Sequence, residues 1–148
     1  MTTEDPKPNI ELIKFYIKDI SFENPNSPDI FKDQSDIKTN IEVSTDYNTL
    51  EKEMYEVLLK INILIETKAN NAVIIEMEQA GLFALHNIPK DQIKSILETF
   101  CSNMLFPYAR EEISNLTLKG GLPPLLLAPV NFDILYQQKI QANEVIKH

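Results

Sequence analysis

The chain has no tryptophan, only three glycines, two histidines and one cysteine. Each shortage removes a class of function. A lone Cys101 cannot close an internal disulfide, and a secreted domain of this size would more often carry paired cysteines. His86 and His148 lie far apart and stand at metal-ligand spacing from neither each other nor Cys101, so no metal site is expected. Gly81, Gly120 and Gly121 supply neither a phosphate-cradling loop nor a nucleophile elbow. Cations are scarce too, with 14 Lys plus Arg against 22 Asp plus Glu and a net charge of −8. Binding a nucleic-acid backbone by counterion release needs a basic patch, so basic or unfolded protein segments are the better-matched partners. No apolar run is long enough to span a bilayer. The polar, net-acidic stretch Met1 to Pro8 is the opposite of a secretory signal, which makes the cytoplasm the expected location.

What is present suits one globular domain over residues 1–148, with loose ends expected at 1–9 and 141–148. A chain this long can bury roughly two thirds of its unfolded surface, so it needs no disulfide or metal to fold. From Ile10 to Phe22 apolar and β-branched residues mark a first strand. Its apolar parity changes between Ile17 and Ile20, which predicts either a bulge or a switch in which face is covered. After a long loop to Asp36, Ile37, Thr39, Ile41, Val43, Thr45 and Tyr47 alternate with polar residues, the mark of a strand with one wet face. Tyr55, Val57, Leu59, Ile61, Ile63 and Ile65 repeat the pattern. Lys68 to Asn71 then suit a hairpin into a fourth strand, Ala72 to Ala80.

Beyond Gly81 the period becomes helical. Ile93, Ile96, Leu97, Phe100 and Cys101 form one stripe after Pro89 and Asp91. Pro107 suits the first turn of a second helix, carried by Phe106, Ala109, Ile113 and Leu116 and ended by Gly120 and Gly121. Leu122 to Pro129 is apolar but interrupted by proline, so it reads as an extended strap over a hydrophobic surface. Asn131 caps a last helix through Ile140. Strands followed by helices, without alternation, predict an α+β fold: a four-stranded antiparallel sheet with helices packed on one side.

Little here suggests catalysis. Cys101 on the helix stripe reads as a small buried hydrophobe, and His86 has no carboxylate at a fixed sequence offset. No catalytic residue, metal ligand or cofactor is expected. Asp19 and Glu23 share one parity on the first strand, and Glu76 and Glu78 share one on the fourth. They make either an acidic patch or an ordinary solvated sheet face. Leu125, Leu126 and Leu127 cannot all face one surface, so the strap either packs simply or leaves a groove for a peptide or a second subunit.

Three stretches are more specific: Lys18 to Pro25 (KDISFENP), Asn103 to Glu111 (NMLFPYARE) and Leu127 to Asp133 (LAPVNFD). Pro28, Phe31, Tyr55 to Val57 and Gln79 to Phe83 extend the match over Ile13 to Tyr136. In these words the chain closely resembles SecB, a family of bacterial protein-export chaperones. The resemblance implies a cytoplasmic, ATP-independent holdase for unfolded preproteins that delivers them to SecA. It also implies a homotetramer built as a dimer of dimers, with helices packed between dimers. The SecA-binding positions it implies are Asp19, Glu23, Ile74 and Glu76. The client groove it implies takes in Ile41, Val43, Val73, Leu125, Leu127 and Tyr136, and the subunit interface Ile75, Met77 and Gln79.

Some positions depart from the family pattern. Ser35 stands where better-known members carry tryptophan, and Val73 and Leu122 stand where they carry phenylalanine, so the groove is expected to be more aliphatic. From Gln137 to His148 the chain holds Lys139, Lys147 and one acid, Glu144, whereas family tails are often longer and more acidic. A chaperone dedicated to one antitoxin would share the fold, but the retained SecA-facing residues count against it. An enzyme or small-molecule binder using the groove would need convergent polar groups that the sequence lacks.

Overall fold

The structure is a computed structural model and describes residues 6–147. Four strands, β1 (Asn9–Glu23), β2 (Lys38–Glu51), β3 (Met54–Glu66) and β4 (Asn71–His86), form one antiparallel sheet in the order β1-β4-β3-β2. Three helices follow, α1 (Lys90–Ile96), α2 (Ser102–Lys119) and α3 (Phe132–Lys147), with a 3-10 turn at Asp29–Lys32 and a wide π turn at Leu97–Cys101. The expected α+β arrangement is the one observed.

Strand parity decides what the sheet covers. On β3 and β4 the odd-numbered residues Val57, Leu59, Ile61, Ile63, Val73, Ile75, Met77 and Phe83 lie under the helices and are buried. The even-numbered residues form an open second face. The expected irregularity of β1 falls between Ile17 and Asp19, where the register to β4 shifts, and a second shift lies between Leu12 and Lys14. Each shift flips the parity of β1, so Ile10, Leu12, Phe15, Ile17, Ile20 and Phe22 all face the helix side. The β3–β4 hairpin closes where Thr67 N–H donates to Asn70 O at 2.8 Å.

Several boundaries differ from the sequence reading. β4 does not stop at Ala80 but continues through Gly81 to His86. Gly81 is no turn residue. A Cβ there would stand 2.6 Å from the Phe83 ring and 2.7 Å from Leu105 of α2, so the glycine lets the helix approach the sheet. β2 likewise runs past Tyr47 to Glu51. The expected break at Pro107 does not occur either: α1, the π turn and α2 follow one another without a loop, and Pro107 lies inside α2. An interior proline costs about 3 kcal/mol. Leu97, Cys101, Leu105, Ala109 and Ile113, each four residues apart, are fully buried against the sheet and offset that cost, each large side chain contributing roughly 1.5–3 kcal/mol. Asn131 caps α3 as expected, its Oδ1 accepting from Ile134 N–H at 3.1 Å, but the helix runs past Ile140 to Lys147. Of the ends expected to be loose, 1–5 and 148 lie outside the described residues.

Between α2 and α3 the chain forms no helix or strand, as expected of the strap, and packs its apolar residues against the core. Leu127 is 3% exposed and joins the core, Leu125 is half-buried, and Leu126 points outward at 66% exposure.

Candidate binding surfaces

The open sheet face gathers carboxylates. Glu23 pairs with Ile74, Ser21 with Glu76 and Asp19 with Glu78 across the β1–β4 ladder. Asp19, Glu23, Ile74 and Glu76 therefore sit on one face of two adjacent strands, and the three acids among them are exposed. The register shift at Ile17 lies before Asp19, so the Asp19 to Glu23 stretch stays regular and the shared parity holds. Beside them, Asn40, Glu42, Asn62, Leu64, Ile74 and Glu76 line a shallow depression of about 440 Å³. Its Leu64 and Ile74 side chains give an apolar floor within an acidic rim. Glu78 belongs to the same face. Lys60 of β3 stands 3.8 Å from it and offsets part of its charge.

Toward the other end of this face the charges are paired. Glu56 accepts hydrogen bonds from the Tyr16 hydroxyl, from Lys18 Nζ at 2.8 Å and from Asn48 Nδ2 at 3.2 Å, linking β1, β3 and β2. Burial works to raise the Glu56 carboxyl, but the hydrogen bonds from Lys18, Tyr16 and Asn48 outweigh it and hold the group below its ordinary value. The Tyr16 phenol is pushed up to about 12, first by burial and then by the Glu56 carboxylate beside it. Small Ala80, paired with both Tyr16 and Leu58, leaves room for this crossing. The net negative part of the face is thus the end that carries Glu23, Ile74 and Glu76.

The six positions that the resemblance assigns to a client groove separate by depth. Ile41, on the helix side of edge strand β2, is 43% exposed, and Val43, Leu125 and Tyr136 are half-buried. Val73 and Leu127 lie in the core. The edge is tied to the helices at one point: Glu98 of the π turn, itself buried, bonds to Lys139 of α3 and to the Thr45 hydroxyl, and Lys139 Nζ also donates to Thr45 O at 2.9 Å.

Of the three positions assigned to subunit contact, Ile75, Met77 and Gln79 are all buried under this chain's own helices, and Gln79 Nε2 donates to Tyr16 O at 3.1 Å beside the β1 bulge. Three exposed apolar residues follow one another on edge strand β1: Ile13, Phe15 and Ile17 are 45%, 46% and 43% exposed. Phe15 stacks on Tyr108 of α2 with ring centroids 3.9 Å apart. Their exposure is not legible in the sequence, because it follows from the place of β1 at the edge of the sheet.

Cys101 is buried, and its thiol is pushed up to about 12 by burial, which leaves no nucleophile. His86 does have carboxylate neighbours after all: Nδ1 lies 2.7 Å from Glu53 and Nε2 3.9 Å from Glu11. They arrive from β1 and the β2–β3 turn, which no sequence offset could disclose. Among the described residues no helix is long and apolar enough to cross a membrane.

Comparison with known proteins agrees with this architecture. The family model "Preprotein translocase subunit SecB" matches residues 3–143. The chain is 39% identical over 138 residues to "Protein-export protein SecB" of Methylococcus capsulatus, covering 93% of this chain and 89% of that one. It is 41% identical to the protein of that name from Pseudomonas fluorescens, over 93% and 86% of the two chains, and 41% identical to the one from Nitrosococcus oceani, over 88% and 81%. Among solved structures, the Mycobacterium tuberculosis SecB-like chaperone Rv1957, solved in complex with a peptide from the HigA1 antitoxin, superposes with a TM-score of 0.69. It covers 82% of this chain and 90% of that one, and at 18% identity it speaks for the fold alone. These relatives are named for protein export and not for any enzymatic reaction. The chain belongs to the SecB family of protein-export chaperones.

Proposed function

We propose that this chain is a holdase: it binds unfolded preproteins without nucleotide, keeps them competent for export and hands them to SecA. It does so in the cytoplasm as a homotetramer, a dimer of dimers. The observation that carries the reading is the open sheet face, where the exposed Asp19, Glu23 and Glu76 share one side of two adjacent strands with Ile74, next to a depression with an apolar floor. Such a surface fits a short basic segment with apolar residues, and its charge speeds the encounter more than it adds affinity.

Holding requires affinity for what an unfolded chain exposes, namely apolar side chains and unpaired backbone. Edge strand β2 offers both, through Ile41 and Val43 and through the main-chain groups on its outer side. Leu125 and Tyr136 extend the apolar path, while Val73 and Leu127 shape its floor from within the core. Grooves repeated on several subunits act at high effective concentration on one client, so weak contacts sum only for long unfolded chains. The exposed Ile13, Phe15 and Ile17 on the β1 edge support assembly with further copies. Ile75, Met77 and Gln79 act on that assembly indirectly, by seating the helices and the β1 bulge above them.

The test uses purified full-length chain without nucleotide. It should keep a slow-folding preprotein soluble and bind a peptide of the SecA C-terminal tail, and Glu76→Lys should abolish the second activity while sparing the first. Aggregation of the preprotein at the rate seen without chaperone overturns the holdase reading. Unchanged tail binding by the lysine variant overturns the docking face.

A further inference from the structure

The strap carries the groove leucines, yet prolines at 123, 124 and 129 strip it of N–H donors. Its remaining donors meet the body of the fold at a single residue. Thr117, in the last turn of α2 and fully buried, takes Leu122 N–H on its main-chain oxygen at 3.1 Å and Leu125 N–H on its hydroxyl oxygen at 2.9 Å. The hydroxyl proton goes back into the helix, to Ile113 O at 3.1 Å or Ser114 O at 3.0 Å. Among the described residues no other hydrogen bond joins 122–130 to the rest of the chain.

An extended segment places neighbouring side chains on opposite sides, so a slip of one residue exchanges them. With Leu125 fixed at Thr117, Leu125 and Leu127 turn inward and Leu126 outward. The opposite phase would turn Pro124, Leu126 and Ala128 inward, one leucine in place of two, and would leave the Leu125 N–H without its acceptor. Apolar packing and the hydrogen bond therefore favour the same phase, and the hydrogen bond holds it at Leu125.

We propose that Thr117 is the positioning residue of the client groove: its hydroxyl pins the strap in the phase that presents Leu125 to the groove and keeps Leu127 beneath it. The inference rests on reading the strap as a client surface. It assigns a function to a residue outside all three recognisable stretches of sequence.

The experiment compares Thr117→Val, which keeps the side-chain shape but loses the acceptor, with Thr117→Ser, which keeps the hydroxyl. Amide hydrogen exchange is followed by NMR on the full chain, alongside release of a reduced, unfolded client protein. Valine should speed exchange at Leu125 by roughly tenfold or more, leave the Ile61 and Ile75 amides unchanged, and hasten client release. Serine should match wild type in both measurements. Should the valine variant not fold, Thr117→Ala set against Thr117→Ser makes the same comparison. Slow Leu125 exchange in the valine or alanine variant overturns the pin, and so does a loosened strap with unaltered client release. Wild-type protein that retains no unfolded client in the same assay overturns the holdase reading instead, a result that leaves the exchange comparison to judge the pin separately.

Discussion

Glu56 keeps its charge on a partly covered sheet face because Lys18, Tyr16 and Asn48 converge on it from two other strands. That arrangement has a sign. A carboxyl held below its ordinary value binds fewer protons in the folded state than in the unfolded one, so its stabilisation is complete above the unfolded value of about 4.5. It is lost as the pH falls through the folded value. Thermal unfolding between pH 6 and pH 3 should therefore show a smaller loss of stability on acidification in Glu56→Gln than in wild type, although the variant starts lower at pH 6. Parallel curves for the two proteins would refute this account of Glu56. The strap gives a second contrast at the scale of single residues. Leu127→Ala should cost about 2–5 kcal/mol in chemical denaturation because it empties a core site. Leu126→Ala, at an exposed position, should stay within about 0.5 kcal/mol of wild type.

The elements show where local signals mislead and why. The alternation of β2 and β3 was legible because each presents one face to the core and one to water, and the hairpin between β3 and β4 was legible from Lys68 to Asn71. Gly81 and Pro107 were misread for one reason: both residues usually end an element when only local geometry is at stake. Here long-range packing decides, since Gly81 admits Leu105 of α2 and Pro107 is carried by a buried helical stripe. Gly81→Ala should destabilise the fold by about 1–3 kcal/mol, because the added methyl meets Phe83 and Leu105 at under 3 Å. Denaturant titration reads the change, and an unaltered midpoint would show that the helix layer moves freely over the sheet. The parity of Asp19, Glu23, Glu76 and Glu78 could be read along each strand. That the two strands are neighbours, with Glu23 beside Ile74, could not, because the order β1-β4-β3-β2 joins the first strand to the last.

At the scale of the molecule, the net charge of −8 is unevenly placed. One end of the open face is acidic, the other has Glu56 neutralised by Lys18, and edge strand β1 carries an exposed apolar row, Ile13, Phe15 and Ile17. Phe15→Asp should shift the assembly toward smaller species in light scattering, by placing a charge in an apolar contact. A mass identical to wild type at micromolar concentration would remove β1 from the subunit contacts. Without tryptophan, and with Val73 and Leu122 in place of aromatic residues, the groove should bind clients by apolar area and show little preference for aromatic segments. Sequencing the client segments protected from protease, beside those held by an aromatic-lined SecB, checks this. Coincident profiles would refute it.

The amino-acid sequence by itself determined the α+β class, the strand faces, the change of parity in β1, the extended strap and the family, because each of these is written in local periodicity or in contiguous words. Only the tertiary structure decided which carboxylates share a surface, which groove positions are reachable, and which of the three leucines faces out. Those outcomes depend on strand order and on how the strap meets the helix layer, where Leu127 packs into the core and Leu125 N–H donates to the Thr117 hydroxyl oxygen. Neither has a signature in the neighbouring residues, since the groups that meet are distant in the chain or are set in phase by a helix that ends before the strap begins.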